Sequence, residues 1–231
     1  MSTSCVRTSS WALLYSARDR SDESPTGCYK KSVDWEKDSA PSTTAALASA
    51  VAALRRGAVV AFPTETFYGL AVDALDVSAL ERLFALKGRG AEKTSALIVA
   101  DIGMFAGLCA EIPDKARELA AAHWPGPLTL ALPARPGLPD AIVQNGFVAA
   151  RVSPHPLAHA LVLAFGGPIT ATSANPAGAP PTRSPSGVRA AFGAALPLVL
   201  DGGETPGGLP STLVRVRGDE VEVVRQGAIA L

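Results

Sequence analysis

The sequence is poor in several features that mark broad protein classes. Its 231 residues include three cysteines, Cys5, Cys28 and Cys109, too few and too scattered for a disulfide framework. No pair has the Cys-x-x-Cys spacing of a metal knuckle or thiol redox motif, so a reducing, cytoplasmic setting fits best. Charge of one sign is not in excess, with 21 Lys and Arg against 21 Asp and Glu. That balance argues against a partner held by a broadly cationic surface and leaves room for local basic pockets. Apolar runs such as Leu47 to Leu54 and Ala96 to Ala100 fall far short of the ~20 residues of a membrane-spanning helix, so no membrane partner is expected. The short apolar group Trp11 to Tyr15 is followed by Arg18-Asp19-Arg20, which argues against a secretory signal. His123, His155 and His159 have no metal-ligand spacing with a second ligand type, and no metal site built from protein side chains is expected.

What is present divides near residue 45. The first segment is rich in Ser and Thr, carries six charges of each sign and shows no sustained period of 2 or 3.6. Residues 1–44 are therefore expected to form a poorly ordered extension. The remainder is rich in Ala, Val, Leu, Gly and Pro and alternates helical with extended patterns, which predicts one α/β domain over 45–231. Helices are predicted at Thr43 to Arg56, Val77 to Leu86, Ile102 to Ala110, Pro113 to His123, Pro156 to Phe165 and Ser186 to Phe192. Strands are predicted at Ala58 to Phe62, Ala96 to Ala100, Leu128 to Leu132, Val148 to Val152, Pro168 to Thr172, Leu198 to Leu200, Thr212 to Val216 and Val221 to Val224.

Familiar nucleotide signatures are missing. Lys87-Gly88-Arg89-Gly90-Ala91-Glu92-Lys93-Thr94 ends like a phosphate-binding P-loop, yet Lys87 and Glu92 occupy its two required glycine positions. No Gly-x-Gly-x-x-Gly follows a strand. Polar clusters remain on loops between apolar elements. Pro63-Thr64-Glu65-Thr66-Phe67-Tyr68-Gly69-Leu70 follows a buried strand. Lys87, Arg89 and Lys93 gather at a helix exit, a set suited to neutralising a polyphosphate. Thr170 to Asn175 supplies hydroxyl and amide groups at a strand end, and Arg151 and Arg225 lie in or beside strands. Each cluster has a plain structural reading as well: a helix C-terminus solvated by cations, Thr and Asn turn chemistry, a rigid turn at Trp124-Pro125-Gly126-Pro127. Arg151 is harder to explain that way, because a partly buried guanidinium needs an anionic partner.

Taken in order, these segments closely resemble the YrdC/Sua5 family of threonylcarbamoyl-adenylate synthases. The matching pieces are Pro63 to Leu70, Lys87-Gly88-Arg89, Trp124 to Thr129, Ala150-Arg151-Val152 with His155-Pro156, Ser173-Ala174-Asn175, Gly202-Gly203, Ser211-Thr212-Leu213 and Arg225-Gln226-Gly227. The resemblance covers about residues 45–231 and is to the short form of the family, without a further C-terminal domain. It implies a single α/β domain of the YrdC/RibB-like type, a twisted mixed sheet with helices around a concave basic cavity. It also implies the conversion of L-threonine, bicarbonate or carbon dioxide, and ATP into threonylcarbamoyl-AMP and pyrophosphate, with Mg²⁺ on the phosphates. The product would pass to a tRNA threonylcarbamoyltransferase complex for threonylcarbamoyladenosine formation.

By the same resemblance Lys87, Arg89 and Lys93 would hold the phosphates, with Lys87 and Arg89 serving catalysis. Thr64, Thr66 and Arg151 would bind threonine, Arg151 as a fork on its carboxylate. Ser173, Asn175 and Arg225 would contact ATP. The sequence departs from the family pattern at Gly90, Leu97 to Val99, Phe147, Ala177, Pro181 and Pro210, where proline, histidine, hydroxyl or carboxylate groups are usual. Two other readings stand beside the synthase: a module binding double-stranded RNA or tRNA, and a related enzyme using another carbamoyl donor.

Overall fold

The computed structural model describes residues 41–88, 94–196 and 198–231. The expected N-terminal extension lies outside them except for its last four residues, as do Arg89, Gly90 and Lys93. Among the described residues no helix is long and apolar enough to cross a membrane.

Among the described residues there are six α-helices, each overlapping one that the apolar periodicity predicts. They are α1 (Pro41–Arg55), α2 (Val77–Lys87), α3 (Ile102–Ala106), α4 (Asp114–His123), α5 (Pro156–Phe165) and α6 (Pro185–Phe192). The helix that positions functional groups most directly is α2. The Asp76 carboxylate accepts from Ala79 N at 3.1 Å to cap its start, and Gly88 at φ 61° closes its end in the left-handed region. Between these stops Leu80, Leu83 and Phe84 face the core. Helix α3 ends four residues earlier than predicted. Beyond Gly107 the backbone turns to pair elsewhere, with Ala110 N donating to Pro133 O at 2.8 Å and Arg135 N to Leu108 O at 3.0 Å.

The strands form two mixed sheets. The first has four strands in the order β8-β2-β1-β9, from β1 (Val60–Pro63), β2 (Tyr68–Ala71), β8 (Thr172–Ser173) and β9 (Leu198–Val199). The second runs β11-β10-β4-β6-β3-β7, with β5 paired to β6. Its strands are β3 (Leu97–Ile98), β4 (Leu128–Pro133), β5 (Val143–Gln144), β6 (Phe147–Arg151), β7 (Ile169–Thr170), β10 (Thr212–Arg217) and β11 (Glu220–Arg225). The α/β class is the expected one, but the strands are shared between two sheets.

Two differences from the sequence reading matter for the site. Tyr68–Ala71, whose first three residues are expected in a polar loop, is strand β2, because the tight turn at Thr64–Phe67 sends the chain straight back along β1 with Val60 opposite Ala71 and Pro63 opposite Tyr68. The stretch Pro168 to Thr172, read as one strand, is two. Strand β7 pairs with β3 in the larger sheet and β8 with β2 in the smaller, so the chain changes sheets at Ala171. The two sheets therefore join at Ala171, where Thr170 lies beside Leu70 and Val72 at the end of β2. Apolar clusters fill both sides of this join: Leu47, Leu54, Phe62, Ile98 and Leu161 in one, and Tyr68, Leu83, Phe105, Leu130 and Val148 among the members of the other.

Candidate functional site

The β1–β2 turn carries Thr64, Glu65 and Thr66. Thr64 Oγ1 donates to Phe67 O at 2.7 Å and accepts from Thr66 N at 3.3 Å, so this hydroxyl builds the turn itself. The Thr66 hydroxyl stands 3.3 Å from it, and both residues are buried. Between them Glu65 reaches out to the larger sheet. Its Oε1 accepts from Arg151 Nε at 2.7 Å and its Oε2 from Ser153 Oγ at 2.5 Å. The Arg151 and Glu65 side chains are 7% and 10% exposed, and Ser153 is fully buried, so this is a desolvated ion pair with both carboxylate oxygens bonded. The sequence required an anionic partner for Arg151; that partner is inside the chain. Neither Nη nitrogen of Arg151 has a hydrogen-bond partner among the described residues.

Lys87 is 1% exposed, which excludes the plain reading of a solvated helix end. Its ammonium donates to the carbonyls of Ser173 and, at 2.8 Å, Asn175. The Lys87 carbonyl in turn accepts from Ala177 N at 2.9 Å. The end of α2 is thus fastened to the Ser173-Ala174-Asn175 loop. Asn175 Nδ2 donates to Ala179 O at 2.5 Å and to Pro176 O at 3.1 Å, while its buried Oδ1 has no partner among the described residues. Ser173 is half-buried and lies opposite Gly69 of β2.

A third group lies across the larger sheet. Register places Thr129 beside Leu213, and Leu213 beside Arg225, one step along from the Leu130–Ala150 pair that precedes Arg151. Arg225 Nη2 donates to Ser211 O at 2.8 Å, and Ser211 Oγ lies 2.8 Å from Thr129 Oγ1. Desolvation of the Arg225 guanidinium, and then repulsion from Arg151, lower its pKa from the usual arginine value. The loop from β9 to β10 closes over the β1–β2 turn. Gly207 N donates to Thr66 O at 2.7 Å, and Tyr68 OH donates to Gly203 O at 2.8 Å while accepting from Gly202 N at 3.2 Å. Burial raises the Tyr68 pKa, its backbone bond from Gly202 opposing.

Thr64 and Thr66 flank Glu65, which reaches Arg151; Lys87, Ser173 and Asn175 form a second cluster, related to the first through the β2–β8 pairing, and Arg225 lies on the edge strand β11. Arg89 and Lys93 lie outside the described residues. Glu65, Ser153, Ser211 and Thr129 were not singled out for roles from the sequence. Glu65 had a visible signal: it is the carboxylate inside the same motif as the two threonines, and Arg151 needed one. Phe147, a departure from the family pattern, lies under Arg215 and Arg217, whose guanidinium carbons are 5.0 and 5.1 Å from its ring centre.

His155 caps α5 through Nδ1, which accepts from Leu157 N at 3.3 Å, and His159 follows one turn later. Burial lowers both imidazole pKa values, against weaker opposing attraction from Glu65 and Asp101 respectively. The unfolded chain then binds protons near pH 6.5 that the folded chain takes up only at lower pH. Stability contributed by these groups is complete above 6.5 and is lost as pH falls toward the folded values. Replacing His159 by Leu is expected to flatten the fall in urea midpoint between about pH 7.5 and 5.5. An equally steep fall in the variant would contradict this.

Comparison with known proteins gives a consistent outcome. The Sua5/YciO/YrdC family model, described as telomere recombination, matches residues 52–227. A threonylcarbamoyl-AMP synthase of Chromohalobacter salexigens is 44% identical over 178 residues, 75% of this chain and 94% of that protein. A threonylcarbamoyl-AMP synthase of Pyrococcus abyssi is 38% identical over 180 residues, 77% of this chain, and the chain spans about half of that relative's length, 53%. The crystal structure of P. abyssi Sua5 complexed with L-threonine superposes with a TM-score of 0.75 at 36% identity, covering 80% of this chain and 54% of that one.

Proposed function

Because the chain belongs to the Sua5/YciO/YrdC family, we propose that it is an L-threonylcarbamoyladenylate synthase, a nucleotidyltransferase acting in the cytoplasm through a catalytic domain of residues 45–231. The observation that carries this reading is the pair of buried cations, Arg151 at the end of β6 and Lys87 at the end of α2. Buried cations are costly for a fold to keep, and they suit a site that receives a carboxylate and a polyphosphate.

The reaction needs positioning and charge neutralisation more than a nucleophilic side chain. The threonine amine captures carbon dioxide as a carbamate. A carbamate oxygen then attacks the α-phosphorus, the bond to the β-phosphate bridge breaks, and pyrophosphate leaves. Arg151 would pair with the threonine carboxylate, and the Thr66 hydroxyl would orient the amino acid. Thr64 would act by holding that turn. Lys87, Arg89 and Lys93 would neutralise the phosphates, while Ser173, Asn175 and Arg225 would fix the nucleotide. Among the described residues no group of three His, Cys, Asp or Glu is placed to hold a metal, and both oxygens of Glu65 are engaged. Mg²⁺ would enter with the phosphates of ATP, and no protein ligand is assigned to it. The product would serve a downstream tRNA threonylcarbamoyltransferase complex.

Pyrophosphate release is expected only when ATP, L-threonine and bicarbonate are supplied together. Release without threonine, or with carbamoyl phosphate in its place, would overturn the reading in favour of another carbamoyl-adenylate enzyme. Tight tRNA binding without ATP consumption would favour an RNA-binding module.

A further inference from the structure

We propose that Glu65 is a positioning residue that makes the site selective for a carboxylate-bearing amino acid. It does so by holding Arg151 through Nε and leaving both Nη groups to the ligand. This rests on the synthase reading and deepens it.

A guanidinium can meet a carboxylate through Nε and one Nη, or through its two Nη groups. A single buried carboxylate inside the chain would ordinarily take a two-bond face and leave the arginine neutralised. Here the arrangement differs. Glu65 Oε1 takes only Nε, at 2.7 Å, because Oε2 is held by Ser153 Oγ at 2.5 Å. Ser153 Oγ is itself fixed, accepting from His155 N at 3.2 Å where the chain enters α5. Glu65 is anchored at its other end by the β1–β2 turn that Thr64 Oγ1 closes on Phe67 O. Both ends of the carboxylate are therefore fixed by backbone geometry, and Arg151 is held in one plane by a group from the opposite sheet. With the pair about nine-tenths buried, the guanidinium needs no further charge to be stable, yet its Nη edge remains a preformed, two-pronged donor. An amino acid carboxylate fits that edge; a neutral amide in its place offers one acceptor and two N–H groups that face donors.

Preorganisation of this kind predicts a selective kinetic signature. In the unaltered protein L-threonine is expected to bind at least about 10-fold more tightly than L-threoninamide, since a charge-assisted pair is worth about 1.5–3 kcal/mol. Glu65→Ala is expected to raise the KM for threonine about 10-fold or more, to leave the KM for ATP within about 2-fold, and to shrink the preference for threonine over threoninamide. Glu65→Gln retains an acceptor for Nε and a partner for Ser153, and should restore most of the preference. The measurements are steady-state pyrophosphate release and calorimetric titration of both ligands into each full-length protein.

If Glu65→Ala does not fold, Glu65→Gln and Ser153→Ala carry the test. Ser153→Ala frees Oε2 and is expected to weaken the preference by a smaller factor. An unchanged threonine-to-threoninamide ratio in the folded Glu65 and Ser153 variants would overturn the proposal while leaving the synthase reading intact. Absence of threonine-dependent release in the unaltered protein would overturn both.

Discussion

Arg151→Ala is expected to lower stability by about 3–5 kcal/mol, because it leaves the Glu65 carboxylate buried without its counter-charge. The magnitude follows from asymmetry. An intact buried pair gains little over apolar residues of similar shape, whereas half a pair leaves a charge in a medium that solvates it poorly. Glu65 cannot escape by turning outward, since its second oxygen is bonded to the fully buried Ser153. For a domain of this size the loss corresponds to a melting temperature lower by roughly 6–20 °C. The control is the double variant Glu65→Gln with Arg151→Met, in which no charge is left behind. It should recover most of the lost stability, and it should not recover threonine-dependent pyrophosphate release, because the donor edge is gone. A single variant that melts within about 2 °C of the unaltered protein would show that Glu65 is not isolated by the loss.

The sequence carried more of the fold than of the side-chain contacts within the site. Helices with regular apolar spacing were legible: α2 and α5 lie where the spacing places them, to within a residue. Apolar strands such as β4 and β6 were legible for the same reason, since a short β-rich run needs no distant partner to be recognised. What could not be read was pairing. Tyr68–Ala71 became a strand because β1 lies beside it, and Pro168 to Thr172 divided because two sheets compete for it. Motif order pointed to Lys87, Arg151, Ser173 and Asn175 as one site; in the fold Lys87 joins Ser173 and Asn175, while Arg151 joins Glu65. Their states were hidden. Burial of Lys87 depends on the Ser173 and Asn175 carbonyls some ninety residues away. The ion pair of Arg151 likewise crosses from one sheet to the other. Periodicity reports which face is apolar and says nothing about which carboxylate meets which cation.

Lys87 is where the structure most alters an expectation drawn from the motif. At a solvated helix end its removal would affect ATP use and leave the fold intact. In its observed place the ammonium bridges α2 to the loop that presents Ser173 and Asn175, so loss of the charge acts on structure and chemistry together. Lys87→Met keeps most of the aliphatic stem and removes the donors. It is expected to cost about 1–3 kcal/mol, the penalty of leaving buried carbonyls unpaired. Pyrophosphate release should fall about 100-fold or more, the usual scale for losing a donor aimed at developing charge. Lys87→Ala adds a cavity beside Leu83 and Phe84, which line the same helix face, and should be less stable than Lys87→Met while losing a similar amount of activity. The comparison separates the two effects. If activity tracked melting temperature across both variants, Lys87 would be a structural strut. If both variants lose activity equally while differing in stability, the ammonium serves the reaction. A Lys87→Met protein that turns over within about 3-fold of the unaltered rate would remove Lys87 from the catalytic assignment altogether.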